Sequence, residues 1–382
     1  MSEQSAVIPA MPNVHSHAFQ LDLRGIGERP IPEAHAHDDF WSWRIAMFAL
    51  ADALDPDSMY DVASRLYRQM RDNGYGVVGE FHYVHHQSDG TPYDEPNEMA
   101  FALARAAQDV GLPIVLIPAA YHRNGWDGED RPPADGQRRF CDPDVESFLA
   151  RVEALRLWSA DQQNVDVAVA AHSVRAVPSS WLSAIAAYSD EHGLVRHVHA
   201  HEQRRELEET QAEHGCSPIE LLEQTGFLGE RTSIIHGTHV TDHDIDLLAA
   251  SNTIVAACPT TEANLGDGYL PAMRYLDAGV RLAVGSDSQV RVDPFEEARE
   301  METVARRTSE LRVGPHAATG DLWSYLVANG HASLGLTGGP VSELTIELDL
   351  DDPQIASVEA DDLSAALSTC ASASVVKTPI NV

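Results

Sequence analysis

"DPDSMYDVASRLYRQMRDNGYGVVGEFHYVHH", residues 55–86, contains a helix, its stop and a strand. Asp55 offers a side-chain acceptor to the free N–H groups of a first helical turn, and Pro56 suits the first helical position, where an N–H has no partner. Met59, Val62, Ala63, Leu66, Tyr67 and Met70 then recur at helix-face spacing. "DNGYG" stops that run. "GVVGEFHYVHH" (76–86) follows as a short apolar stretch that ends on polar side chains, the pattern of a strand buried on both faces. The stretch therefore reads as one helix feeding one buried strand with a polar C-terminal end.

The unit repeats in both directions. Strand-like runs occupy 7–17, 76–86, 113–123, 165–177, 196–203, 232–240, 253–266 and 281–290. Helical patterns separate them, among them "DEPNEMAFALARAAQDVG", "DPDVESFLARVEALRLW" and "PSSWLSAIAAYSDEHG"; "DPFEEAREMETVARRTSELR" follows the eighth strand. Eight strands alternating with helices predict a (β/α)8 barrel over residues 7–335. A doubly wound open sheet is the rival, and no GxGxxG follows a strand to support it. Residues 336–382 change character: "ELTIELDL" alternates as a strand, and the remainder is small and acidic. They read as a reduced β-subdomain or packed tail.

Bulk composition excludes several classes. The chain has 382 residues with 26 basic and 59 acidic side chains, a net charge of −33. So acidic a surface repels nucleic acid and anionic lipid. No run of some 18 apolar residues predicts a membrane span, and the N-terminus lacks the pattern of a signal peptide. Cys141, Cys216, Cys258 and Cys370 form no CxxC pair and read as reduced cytoplasmic thiols. Lys377, in the tail, is the only lysine. Schiff-base, pyridoxal-phosphate, P-loop and lysine-bridged two-metal chemistries all need a lysine in the site, so all four are disfavoured.

Polar residues gather at the C-terminal ends of the strands: His15, His17, Tyr83, His172, Arg175, His199, Glu202, His236 and Asp287. That rim carries the active site of (β/α)8 enzymes. "HSH" (15–17) places two imidazoles on one face of the first strand, a two-point grip for a metal such as zinc. In "HVHAHEQ" (197–203) three histidines face one way, but alternate residues stand about 6.6 Å apart while Zn–N bonds are about 2.0–2.1 Å. One ion reaches only one of them comfortably. His199 is the best placed; His197 falls deeper in the core and His201 nearer the mouth. His85, His86, His239 and the pair His35/His37 read as packed or solvated polar residues. The glycine- and proline-rich loop 127–140 is either a cap on the site or a surface excursion.

Together these motifs resemble the amidohydrolase superfamily, with HxH on strand one, histidines on strands five and six, and aspartate on strand eight. Within it "PNVHSHAFQ", "FWSWR", "GEFHYVHH", "GQRRF", "HSVRAV", "HVHAHEQ", "PTTEANLGDG" and "GSDS" resemble the formimidoylglutamate deiminase family over about residues 12–300. The resemblance implies zinc held by His15, His17, His199 and Asp287, with Fe2+ or Mn2+ also suited to such a site. It implies Glu202 as proton-shuttling acid/base, His236 and Asp287 as groups acting on the attacking water, and Gln20, Arg44, Tyr83, His172 and Arg175 as contacts to a small dicarboxylate substrate. The implied activity is hydrolytic deamination of N-formimidoyl-L-glutamate to N-formyl-L-glutamate and ammonia, in cytoplasmic histidine breakdown. His201 departs from the small residue expected there, and the N-terminal strands of the family's small β-subdomain are expected to be missing. Alternatives are the same chemistry on another formimino-amino acid or an aminoheterocycle, and a non-catalytic metal-binding barrel. Oligomeric state stays open, a homodimer included.

Overall fold

The structure is a computed structural model that describes residues 4–29 and 39–380; His35 and His37 lie outside them. After β1 (Ser5–Pro9), a parallel sheet runs β2 (Met11–Ser16), β3 (Tyr75–His82), β4 (Ile114–Ala120), β5 and β6 (Val165–Val167 and Val169–Ser173), β7 (Arg196–Ala200), β8 (Thr232–His236), β9 (Ile254–Ala257) and β10 (Arg281–Val284). β5 and β6 share one barrel position, both pairing with β4, so eight positions are filled. Each strand pairs with the next in chain order, which is the topology of a (β/α)8 barrel.

The opening helix forms over Pro56–Asp72, with the Asp55 side chain accepting from the Ser58 N–H at 2.8 Å. All six residues of its apolar stripe are buried. Burying each larger apolar side chain contributes roughly 1.5–3 kcal/mol, so the stripe outweighs intrinsic propensity in holding the helix to the barrel.

Two expected strands differ. The run 7–17 is two strands: the Ala10 N–H donates to Leu344 O and the Met11 N–H to Gly74 O, so the chain crosses at Ala10 from one sheet to another. β1 pairs antiparallel with β11 (Thr345–Asp349), which pairs with β12 (Val376–Thr378). Residues 7–9, expected at the start of the barrel, thus belong to a small three-stranded sheet with the C-terminal segment. The run 253–266 stops as a strand at Ala257, and Pro259 opens a helix to Leu265. Proline has no N–H for a ladder but fits a first helical turn.

The barrel seam is closed largely by side chains. The Asp287 N–H donates to His15 O (3.0 Å) and the His17 N–H to Asp287 O (3.2 Å). Asn13 donates to Ser286 Oγ (2.7 Å) and accepts from the Ser286 N–H (3.0 Å), and Gln289 Nε2 donates to Ser16 Oγ (3.0 Å). Gly285 permits this approach: a Cβ there would lie 2.8 Å from the His15 backbone N and O. At the opposite end, helix Leu322–Ser333 plugs the floor. Trp323 Nε1 donates to Pro9 O, and the Ser333 carbonyl accepts from His197 Nε2 at 2.9 Å. Among the described residues no helix is long and apolar enough to cross a membrane.

Candidate metal and substrate site

β2 ends at Ser16 and His17 continues it in an extended conformation, so the imidazoles of His15 and His17 lie on the same face. His199 Nε2 is 3.0 Å from His15 Nε2, and Asp287 Oδ1 is 3.5 Å from His15 Nε2 and 3.3 Å from His17 Nε2. One donor atom from each of the four lies within 4.8 Å of the others, and all four residues are buried. Four donors bonded tetrahedrally at about 2.0–2.1 Å would stand about 3.3 Å apart, so the observed spacings suit one small divalent cation.

The ring tautomers support that fit. His17 Nδ1 donates to Phe81 O (2.8 Å) and His199 Nδ1 to His172 O (2.7 Å). Each bond spends the Nδ1 proton outward and leaves an Nε2 lone pair aimed at the cluster. Burial, aided by the neighbouring His17, drives the His15 pKa down to about 3, and burial with His15 and His172 puts His199 well below its ordinary value. Both rings are therefore neutral, as ligation requires. Burial opposes ionisation of Asp287, but the His15 and His17 rings beside it outweigh burial and hold its carboxyl well below the usual range. A second grouping, His236, Cys258 and Asp287, shares the same aspartate. Burial pushes the Cys258 thiol up, so it stays protonated and makes a poor ligand.

Beside this cluster His236 sits among three carboxylates. Its Nε2 is 3.6 Å from Glu202 Oε1 and 3.8 Å from Asp287 Oδ2, and its Nδ1 is 3.4 Å from Glu262 Oε1. Burial alone would lower the His236 pKa; Glu202, Glu262 and Asp287 together outweigh it and raise it to about 10. Burial also raises Glu202, which His236 and Arg175 only partly offset. His236 (φ 75°) and Asp287 (φ 48°) both lie in the left-handed region. That conformation costs about 1–3 kcal/mol for such residues and is concentrated at functional sites.

A cavity opens above the cluster, lined by His17, Gln20, Arg44, Tyr83, His172, Arg175, His199, Glu202, His236 and Asp287. Every residue expected in the site reaches this cavity except His15, which lies beneath it. Gln20 Nε2 donates to Tyr83 OH at 3.0 Å. Arg44 comes from helix Phe40–Asp52, whose aromatic residues hold it: its guanidinium carbon is 5.0 Å from the Trp41 ring and 4.9 Å from Phe48. Arg175 lies 5.2 Å from the same Trp41 ring. Both guanidiniums are buried, and among the described residues neither forms a salt bridge. The loop 127–140 walls the cavity through Phe140, while Gln137 donates to Tyr121 OH at 2.7 Å.

His201 is not at the mouth. β7 ends at Ala200, and a positive φ of 58° turns the His201 ring away from the cavity. Its Nδ1 donates to His239 O (2.8 Å), and its Nε2 accepts from the Ile219 N–H (3.2 Å) beside Asp244. Period-two alternation holds only while the chain remains extended. His201→Ala is expected to cost about 1–3 kcal/mol of stability in a denaturant melt while leaving metal content and KM unchanged; an altered KM would return His201 to the mouth. His85 and His86 are buried and packed: His85 Nε2 donates to Ala119 O, and His86 Nε2 lies 3.5 Å from Asp142.

Three contributors escape the sequence reading. Tyr121 lines the cavity and accepts from Arg44 Nη2 at 3.4 Å; it follows β4 as Tyr83 follows β3, so the strand-end rule could have found it. Glu262 touches His236 from the helix after β9, where a strand was expected. Glu80 accepts from the Ser16 hydroxyl (2.8 Å) and the Ala18 N–H (2.6 Å), bracing the chain around His17.

The profile of the amidohydrolase family matches residues 6–337. A formimidoylglutamate deiminase of Pseudomonas aeruginosa is 35% identical over 369 residues, covering 94% of this chain and 79% of the relative. The crystal structure of an amidohydrolase from Brucella melitensis superposes with a TM-score of 0.88 at 32% identity, over 98% of this chain and 85% of that one. An adenosine deaminase from Xanthomonas campestris, solved with bound zinc, has the same fold: TM-score 0.78 at 20% identity, over 97% and 78% of the two chains. Four clustered ligand atoms at the rim of a (β/α)8 barrel and matches that span nearly the whole chain lead to one conclusion: this protein belongs to the amidohydrolase family and is a hydrolase of C–N bonds.

Proposed function

We propose that this hydrolase releases ammonia from N-formimidoyl-L-glutamate and leaves N-formyl-L-glutamate. The observation that carries the reading is the pair Arg44 and Arg175, buried in the cavity beside the ligand cluster and, among the described residues, without a salt bridge to any carboxylate. Leaving buried guanidiniums unpaired is costly, and a dicarboxylate relieves both at once. The likeness to the P. aeruginosa deiminase supports the same substrate.

The donor set of three imidazoles and a carboxylate fits zinc, with Fe2+ and Mn2+ as alternatives. A divalent ion held by His15, His17, His199 and Asp287 supplies Lewis acidity that makes water nucleophilic near neutral pH. Asp287 faces the cavity where its carboxylate can take a proton from the attacking water, and His236, held beside it by three carboxylates, can orient that water. Water adds to the formimino carbon, Glu202 passes a proton to the terminal nitrogen, and the C–N bond breaks to release ammonia and form the formyl C=O. The distances of 3.6 and 3.8 Å around His236 are long for proton transfer and are expected to tighten once substrate displaces water. The four cysteines, all free, suit a cytoplasmic enzyme.

A neutral aminoheterocycle would leave both arginines unpaired, which places that alternative second. The test is ammonia release from N-formimidoyl-L-glutamate, its aspartate homologue and an aminopurine. The glutamate compound is expected to be the fastest; preference for the purine would reverse the reading. Arg44→Met and Arg175→Met are each expected to raise KM about 10- to 100-fold, since a charged hydrogen-bonded contact contributes roughly 1.5–3 kcal/mol. Unchanged kinetics in both variants would remove the carboxylate clamp.

A further inference from the structure

Beyond the catalytic cavity, and sharing Arg44, Phe48 and Arg175 with it, lies an outer cavity. Its wall adds Trp41, Arg131, Arg205 and Glu209. We propose that this outer cavity is an anion-collecting vestibule, a second binding site that takes a small dicarboxylate before it passes Arg44 and Arg175 to the inner site. The proposal rests on the substrate reading above only for the dianionic character of the traveller.

Charge balance is the first argument. The protein carries a net charge of −33, so its mean field repels a dianion at a distance. In the vestibule the sign is inverted: four guanidiniums face the single carboxylate of Glu209. Glu209 Oε1 accepts from Arg131 Nη2 and from Arg205 Nε, both at 2.9 Å. One carboxylate thus anchors two arginines and neutralises only one charge. Arg131 Nε is buried without a hydrogen-bond partner, and among the described residues Arg44 and Arg175 form no salt bridge, Glu202 and Glu206 acting on Arg175 only from beyond ion-pair distance.

Geometry is the second. The Trp41 ring lies among three of these cations, with guanidinium carbons at 4.4 Å (Arg205), 5.0 Å (Arg44) and 5.2 Å (Arg175) from its centroid. An aromatic wall attracts cations to its faces and keeps water from screening them, so the field is focused along the path inward. Arg205 is the most solvent-facing of the three and Arg44 and Arg175 are buried, so the cations form a graded line from surface to site.

The experiment is calorimetric titration of the metal-loaded protein with glutarate, a dicarboxylate without a formimino group. At about 0.02 M salt, Arg131→Gln/Arg205→Gln is expected to bind glutarate about tenfold more weakly than wild type. At about 0.5 M salt, where screening acts within a few ångströms, the difference should shrink below about twofold. Glu209→Gln, which removes the carboxylate among the described residues of the vestibule wall, should tighten binding at low salt and guards against a double variant that fails to fold. Equal affinity of the double variant at low salt, weaker binding by Glu209→Gln, or no glutarate binding by wild type would each overturn the vestibule. Because glutarate is not a substrate, these outcomes stand whether or not formimidoylglutamate is turned over. Turnover with salt-insensitive binding would remove the vestibule and leave the deiminase reading intact.

Discussion

Glu202→Gln is expected to retain its bound metal and to lose about a thousandfold in turnover, within the usual range for a general acid/base. Glu202 is not among the four clustered ligand residues, so its loss does not open the metal site. Its carboxyl lines the cavity and sits 3.6 Å from His236, facing the space a substrate would fill. Burial raises its pKa, which favours a group able to hold a proton and then give it up. Glutamine keeps the shape and forfeits the proton. Metal analysis and steady-state ammonia release on the same preparation decide the matter: turnover near wild type would take Glu202 out of the chemistry. Metal loss in the variant would show that its role is to support the ligands.

His199→Ala is expected to abolish activity by a different route, through loss of the ion. His199 Nε2 faces His15 Nε2 at 3.0 Å, and its other nitrogen is fixed by His172 O, so it is an oriented donor that no neighbour replaces. Chelation of the wild type should give the same phenotype reversibly. An ion present at about a thousand times its dissociation constant stabilises the folded state by about 4 kcal/mol, so chelated wild type and the variant should both melt at lower denaturant concentration. Zinc added back should restore stability and activity to the chelated wild type but not to the variant. A variant that binds metal and turns over substrate normally would take His199 out of the ligand set.

The helix–strand alternation and the histidine-bearing strand ends are legible in the sequence itself. Both are local: six stripe residues recur within one helix, and two imidazoles share a face of one strand whatever surrounds them. Arg44 is less legible. A helix after the first strand gives no hint that its arginine will be buried between aromatic rings, because that depends on where the helix lies across the barrel mouth. Glu262 is hidden for a related reason: an apolar stretch broken by Pro259 looks like a continuing strand until packing lets the proline begin a helix.

His201 and Asp287 mark the two sides of this division. Chemical identity and spacing along the chain placed Asp287 at the end of an eighth strand, and therefore at the rim with the histidines of strands one and five. Whether it could touch them depended on a closed seam, which needs a Gly285 without a Cβ and an Asn13–Ser286 brace joining residues 273 positions apart. His201 lies two residues beyond His199, yet one left-handed φ carries it out of the site. Local periodicity constrains a side chain only while the backbone stays regular; at the strand ends, where this protein keeps its chemistry, direction is set by contacts between distant segments.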